Sequence, residues 1–289
     1  MSSLLNKVAF VTGGGSGIGQ GIAPSGWRAR GGYLRTDVDE AGARETVDLV
    51  TQLGRRAMTV KANVASQVQI QQAAKACVAQ FGRLDFAVAN AGIGRGGSVL
   101  EMSLKDWQDQ VDVNLTGVFL TVQAAAREMV ALGHGGRIVC ISSLAALNTS
   151  STMWAYSATK VGVRMMVRGW AQDLGQYGIT VNAIGPGVIE TPLAAGLAGE
   201  PGGNIRGSLE SRTPVGRVGR PDDIAGLVNF LVGPDGSFMS GSYLVMDGGL
   251  RDARGGWEPD AKAAEELARI QARSLERHVR MQAWLDDRD

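Results

Sequence analysis

The run Thr12-Gly13-Gly14-Gly15-Ser16-Gly17-Ile18-Gly19 sits between an apolar stretch at 7–11 and a segment that begins with helical spacing. Few features constrain a fold so much. Glycines let a backbone turn sharply and come close to a ligand. A helix starting at such a turn aims its unpaired N–H groups and the positive end of its dipole back at it, where a pyrophosphate is well held. Strand, glycine loop and helix in that order open an α/β unit. A plain glycine turn is the competing reading, and the rest of the chain must decide between them.

The rest of the chain continues the alternation. The segments at 57–61, 84–89, 137–142, 180–184 and 243–246 read as strands, and 67–81, 105–129, 157–176 and 222–232 carry helical spacing. Strands alternating with helices argue for a parallel sheet covered on both faces. The nearly all-apolar run Phe86-Ala87-Val88-Ala89 suits a strand buried on both sides. The expected fold is therefore a single Rossmann-type, doubly wound α/β domain over 1–250, holding cofactor and substrate sites. A charged C-terminal helical extension follows at 251–289, where 261–285 places Leu267, Ile270, Leu275, Val279 and Trp284 on one side. The stretch 193–212 is rich in Gly, Ala and Pro with weak periodicity; it reads as a mobile lid or a disordered insertion.

Composition closes off several function classes. The formal net charge is +1, which gives nucleic acid or an anionic membrane no reason to bind. No uninterrupted apolar run reaches the ~18 residues of a membrane span, and residues 1–7 lack an export pattern. Only Cys77, Cys140, His134 and His278 represent the soft metal ligands, and they do not cluster, so no metal site is expected. Two separated cysteines fit a reducing cytoplasm better than a disulfide framework.

Several residues carry chemistry. Asp37, about 20 residues past the glycine loop, stands where a second strand ends; a carboxylate there binds ribose hydroxyls and repels a 2′-phosphate. A solvated turn acid is the alternative, since Asp39 and Glu40 are near. Tyr156 and Lys160 lie one helical turn apart on one face. An ammonium at ~4 Å is worth roughly 4 kcal/mol at an effective dielectric of ~20, enough to lower a phenol by about 3 units and make it an acid/base near neutrality. Ser142 and Ser143 end the 137–142 strand, where a hydroxyl either bonds a substrate oxygen or caps a turn. Asn114 interrupts a helical run, and a buried amide there needs a partner. Asn90-Ala91-Gly92 ends another strand with small residues that admit a ligand or merely turn.

Taken in order, Thr12–Gly19, Asp37, Asn90–Gly92, Asn114, Ser143, Tyr156/Lys160, Pro186-Gly187 and Thr191 make the chain, over roughly 4–250, resemble the short-chain dehydrogenase/reductase family, including its 3-oxoacyl-reductase-like and alcohol dehydrogenase-like members. The resemblance implies an NAD(P)-dependent oxidoreductase, a carbonyl reductase or alcohol dehydrogenase, that interconverts a secondary alcohol and a ketone by hydride transfer. It implies a tetrad of Asn114, Ser143, Tyr156 and Lys160, with Ser143 preferred to Ser142. It assigns Gly13, Ser16, Gly17, Ile18 and Gly19 to the pyrophosphate, Asp37, Asn63 and Val64 to the adenosine end, and Asn90, Gly92, Tyr156, Lys160, Pro186, Gly187, Ile189 and Thr191 to the remainder of the cofactor. NAD is expected over NADP because of Asp37, as is a homo-oligomer, preferably a tetramer. Leu144, Met153 and Trp154 are expected to shape a partly apolar substrate pocket.

One stretch departs from the pattern. Residues 24–31, Pro-Ser-Gly-Trp-Arg-Ala-Arg-Gly, stand where a helix should run. Proline in mid-helix costs ~3 kcal/mol and glycine about 1. Read from the third base of the Pro24 codon, the permitted codons include Leu-Arg-Leu-Ala-Arg-Glu-Gly, a good helix closing on glycine. A shifted frame is thus one hypothesis for this stretch, and resequencing the gene checks it. The departure also motivates the alternative of a cofactor-binding scaffold or sensor that does not turn over.

Overall fold

A computed structural model describes residues 6–22, 32–150, 152–199 and 201–252. The anomalous 24–31 stretch and the expected helix at 261–285 lie outside the described residues. Everything below belongs to one compact unit, Met1–Asp252.

The chain alternates β1 (Val8–Thr12), α1 (Gly17–Ile22), β2 (Gly32–Asp37), α2 (Glu40–Gln52), β3 (Arg56–Lys61), α3 (Gln67–Phe81) and β4 (Phe86–Ala89). It continues with α4 (Leu104–Val111), α5 (Gly117–Leu132), β5 (Gly136–Ile141), α6 (Trp154–Leu174) and β6 (Ile179–Pro186). Among the described residues it ends with α7 (Ala195–Ala198), α8 (Asn204–Arg212), α9 (Pro221–Val232) and β7 (Tyr243–Met246). All strand pairs are parallel, in the order β3-β2-β1-β4-β5-β6-β7.

The period-2 geometry of strands sorts their side chains onto two faces. Val8 and Phe10 of β1, Ala87 and Ala89 of β4, and Ile138 and Cys140 of β5 join one core with α3, α5 and α6. Their neighbours Ala9, Val11, Phe86, Val88, Val139 and Ile141 join a second core with α1 and α9. A buried Phe10 or Leu34 contributes about 1.5–3 kcal/mol, which explains why the strands read as continuous apolar runs. β1 pairs with β2 on one side and β4 on the other, so the strand order reverses there. In open parallel sheets the crevice at the strand C-termini beside this reversal takes the ligand.

Two segments differ from the sequence expectation. The helix expected over 105–129 spans Leu104–Leu132 but loosens into a π-turn at Asp112–Thr116, which contains Asn114. Length and apolarity alone would let this helix cross a membrane, yet half of its most apolar window is buried against the fold. The weakly periodic 193–212 is not a disordered insertion. It makes a 3₁₀ turn at Pro192–Ala194, then α7 and α8, and Leu209 is the buried anchor of α8.

Candidate active site

The phosphate loop is braced from β4. Asn90 Nδ2 donates to the carbonyls of Gly13 at 2.8 Å and Thr12 at 3.1 Å, and the Asn90 N–H donates to Thr12 Oγ1 at 3.2 Å. Gly13 has φ 63°, and a Cβ there would stand 2.7 Å from Ala91 Cα. Any side chain would therefore both strain the turn and push β4 away. Gly13, Ser16, Gly17 and Ile18 line a cleft of about 660 Å³, and Asp37, Asn63, Val64, Asn90 and Gly92 line its continuation. Asp37 closes the adenosine end: Oδ2 accepts from the Gly15 N–H at 2.7 Å and Oδ1 from the Asp39 N–H at 3.0 Å. Each carboxylate oxygen keeps capacity for a further hydrogen bond. A glycine-walled turn that admits no Cβ, facing a cleft of cofactor size, fits a dinucleotide. Gly19 lies behind the turn, and a Cβ on it would strike the Gly13 carbonyl.

The catalytic candidates converge at the C-terminal ends of β4 and β5. Asn114 is fully buried; its Oδ1 accepts from the Ile93 N–H and its Nδ2 donates to the Ile93 carbonyl, both at 2.8 Å. The π-turn that carries Asn114 sets this amide against the Ile93 backbone, and such turns are frequent at functional sites. A Cβ on Gly92 would stand 3.3 Å from Asn114 Oδ1 and 3.6 Å from Lys160 Nζ, so these three residues meet. Lys160 is buried, with Nζ donating to the Ile141 carbonyl at 3.1 Å. Burial lowers its ammonium to about 8. Tyr156 shares a hydrogen bond with the Ser143 side chain. Ser143 Oγ also accepts from the Ala145 N–H at 3.1 Å, whereas Ser142 Oγ turns inward to donate to the Lys160 carbonyl at 3.0 Å.

The Tyr156–Lys160 electrostatics differ from the simple expectation. Nζ lies 5.4 Å from the centroid of the Tyr156 ring, and the buried phenol is not drawn down by it. Burial pushes the phenol up to about 12, with the Ser143 hydrogen bond pulling the other way. A desolvated phenol favours its neutral form, and one ammonium at this distance does not reverse that.

At the substrate end, Leu144, Met153, Pro186, Gly187, Ile189 and Thr191 line the cleft. Trp154 is not among the lining residues: its ring stacks on Trp107 at 5.8 Å and its Nε1 donates to the Gly97 carbonyl at 3.1 Å. Three contributors escaped sequence reasoning. The Ile141 carbonyl that receives Lys160 is backbone and has no side-chain signal. Arg35 and Tyr243 sit in strands, where their types read as ordinary edge residues.

The model of the family described as "Enoyl-(Acyl carrier protein) reductase" matches residues 13–251. An L-rhamnose 1-dehydrogenase (NAD(P)(+)) from a Sphingomonas species is 36% identical, over 86% of this chain and 98% of its own. A cyclohexanol dehydrogenase from an Acinetobacter species is 35% identical, over 84% of this chain and 94% of its own. Among solved structures, a short-chain type dehydrogenase/reductase from Mycobacterium ulcerans superposes with a TM-score of 0.82 at 32% identity, over 88% of this chain and 92% of its own.

Proposed function

The chain belongs to the short-chain dehydrogenase/reductase family, and from that premise we propose that it is an NAD(H)-dependent oxidoreductase interconverting a secondary alcohol and a ketone, with Tyr156 as general acid/base. The observation that carries this reading is the convergence of Asn114, Ser143, Tyr156 and Lys160 beside the phosphate loop. When bound, the nicotinamide ring supplies or takes up the hydride. The chain's own residues handle the proton. In reduction, Tyr156 Oη donates a proton to the carbonyl oxygen while Ser143 Oγ holds that oxygen by a hydrogen bond. A phenol held near 12 is poised in this protonated form. In oxidation the phenolate must form, and the Ser143 hydrogen bond and the Lys160 charge are the groups that favour it. Asn114, fixed by Ile93, borders Lys160 and orders the proton path behind it.

Asp37 supports NAD over NADP. Its carboxylate faces the adenosine end of the cleft, where a 2′-phosphate would meet like charge. Among the described lining residues the ionisable side chains are Asp37, Tyr156 and Lys160. A substrate carboxylate would thus find no cation apart from Lys160, which supports an uncharged, partly apolar alcohol or ketone. Phe119, Val161 and Met165 are exposed on α5 and α6, which supports assembly into a homotetramer; light scattering at the monomer mass would sink that part. Cys77 and Cys140 are free and buried, which suits a reducing cytoplasm, and cell fractionation checks it.

The test is titration of the purified protein with NADH and NADPH, with Asp37→Ala beside it, followed by turnover on neutral and acidic ketones. Tight NADH binding, NADPH gaining on loss of Asp37, and turnover of neutral ketones support the reading. Cofactor binding with no turnover on any ketone would favour the cofactor-binding scaffold instead, and binding of neither cofactor would overturn the reading.

A further inference from the structure

Tyr243 comes from the edge strand β7 and reaches across the sheet to the end of β5. β7 pairs with β6 in the register Ala183↔Tyr243 and Gly185↔Val245. The Tyr243 ring crosses diagonally over Gly185: a Cβ added there would stand 2.6 Å from the ring's Cζ. No side chain larger than hydrogen leaves the ring in this place. Beyond Gly185, the Tyr243 hydroxyl donates to the backbone carbonyl of Ser143 and is hydrogen-bonded to the Ser142 side chain as well. On the outer side the Arg164 guanidinium lies 5.2 Å from the ring centroid. Arg164 is one helical turn after Lys160, so it holds the ring from the same helix that carries Tyr156 and Lys160.

The hydrogen bond falls on the residue whose geometry matters most to the proposed chemistry. Ser143 adopts extended backbone angles, φ −169° and ψ 155°, and caps the 3₁₀ turn Leu144–Ala146. Its Oγ accepts from the Ala145 N–H, and its carbonyl accepts from the Ala146 N–H at 2.9 Å. The same carbonyl is the one Tyr243 grips. The turn and the strand end are thus clamped from β7 by a single phenol.

We infer that Tyr243 is a positioning residue for Ser143, acting through the Ser143 carbonyl and placed by Gly185 and Arg164. The inference rests on the functional reading above for its consequence, but not for its geometry. Burial raises the Tyr243 phenol above its ordinary value, against the Ser142 and Ser143 hydrogen bonds and the Arg164 and Arg251 charges, which pull it down. It therefore stays a neutral donor through the working range. Its hydroxyl does not touch the reacting atoms; it fixes where Ser143 Oγ stands when Tyr156 transfers a proton.

The experiment is Tyr243→Phe, which keeps the ring and removes the donor, with Gly185→Ala, which displaces the ring and keeps the donor. Two readouts apply to both. The first is hydrogen exchange at the Ala145 and Ala146 amides, expected to quicken about tenfold as the turn loosens. The second is the kinetic split: kcat falls about tenfold to hundredfold, while KM for the cofactor stays within about twofold, because the adenosine and pyrophosphate contacts are remote. Exchange within about twofold of the parent in Tyr243→Phe overturns the inference. So does an unchanged kcat in an enzyme that turns over. If the parent protein shows no turnover on any substrate, that failure belongs to the functional reading, and the exchange readout alone decides the role of Tyr243. Should Gly185→Ala fail to fold, Tyr243→Phe decides by itself.

Discussion

At the scale of single residues, the site sets burial against charge. Tyr156 and Lys160 are both pushed toward their neutral forms by desolvation, the phenol up to about 12 and the ammonium down to about 8. An active site built this way depends on the phenol itself. Tyr156→Phe is expected to cut turnover by about 10²–10⁴ while NADH affinity changes little, since the ring still fills its place; parallel fluorescence titration and kinetics check both halves. Arg35 is the other unusual residue. It is fully buried, with Nη1 donating to the Gly14 carbonyl at 2.6 Å and Nη2 to the Gly42 carbonyl at 2.9 Å. Among the described residues its Nε finds no partner. It ties the phosphate loop to the first turn of α2, so Arg35→Ala is expected to destabilise the fold by about 2–5 kcal/mol through a cavity and the loss of its hydrogen bonds to the Gly14 and Gly42 carbonyls. An unchanged denaturation midpoint would contradict that. Tyr156, Lys160, Asn114 and the glycine loop were legible in the sequence because each chemistry needs its residue type at a fixed spacing. Arg35 and Tyr243 were not. An arginine or tyrosine in a strand normally marks an exposed face, and only the packed sheet shows that one lies beneath the phosphate loop and the other reaches Ser143.

Among elements, α9 shows how a cap carries pH dependence. Arg220 is its N-cap and Pro221 its first residue; Asp223 Oδ2 accepts from the Arg220 N–H at 2.7 Å. The Arg217 guanidinium grips both oxygens of the same carboxylate at 2.7 and 2.8 Å, and with it holds Asp223 at about 2. A carboxyl depressed in the folded state adds stability above its ordinary value of 3.8, and loses it as pH falls from there toward about 2. The pair is largely solvated, so its contribution is modest and screened by salt. Asp223→Asn should lower the melting temperature at neutral pH and nearly abolish the difference from the parent near pH 2; an equal gap at both pH values would refute the assignment. Helices with a strong apolar stripe, such as α3, α6 and α9, were legible with their ends nearly correct. The π-turn at Asp112–Thr116 was hidden, because the shift it makes in the helical phase falls within a short stretch that still reads as helix. α7 and α8 were hidden for another reason. Their apolar content is too small to give a period, and the surrounding chain holds them through Leu209 and Ala198.

For the whole molecule, ligand and fold are linked through one cleft. Dinucleotide at about 100 times its Kd should add about 2.7 kcal/mol, which for a domain of this size raises the melting temperature by about 5–10 °C. A thermal scan with NADH that shows no shift would count against a working site. The overall sheet was legible because parallel strands buried on both faces leave a near-continuous apolar record. The central place of β1 has a consequence for how the chain is made. β1 is synthesised well before β4, with which it pairs. The Val8 N–H donates to the Asp85 carboxylate, 77 residues later. At about 5–20 residues per second, a ribosome needs about 4–15 s to supply that partner. Until then β1 presents a bare apolar edge, and the Gly13 turn lacks the Asn90 brace that holds it open for phosphate. The newborn chain is thus a sticky object that cofactor cannot rescue. Nascent chains arrested before Asn90 should bind no dinucleotide and recruit holding chaperones, and those arrested after β6 should do the reverse.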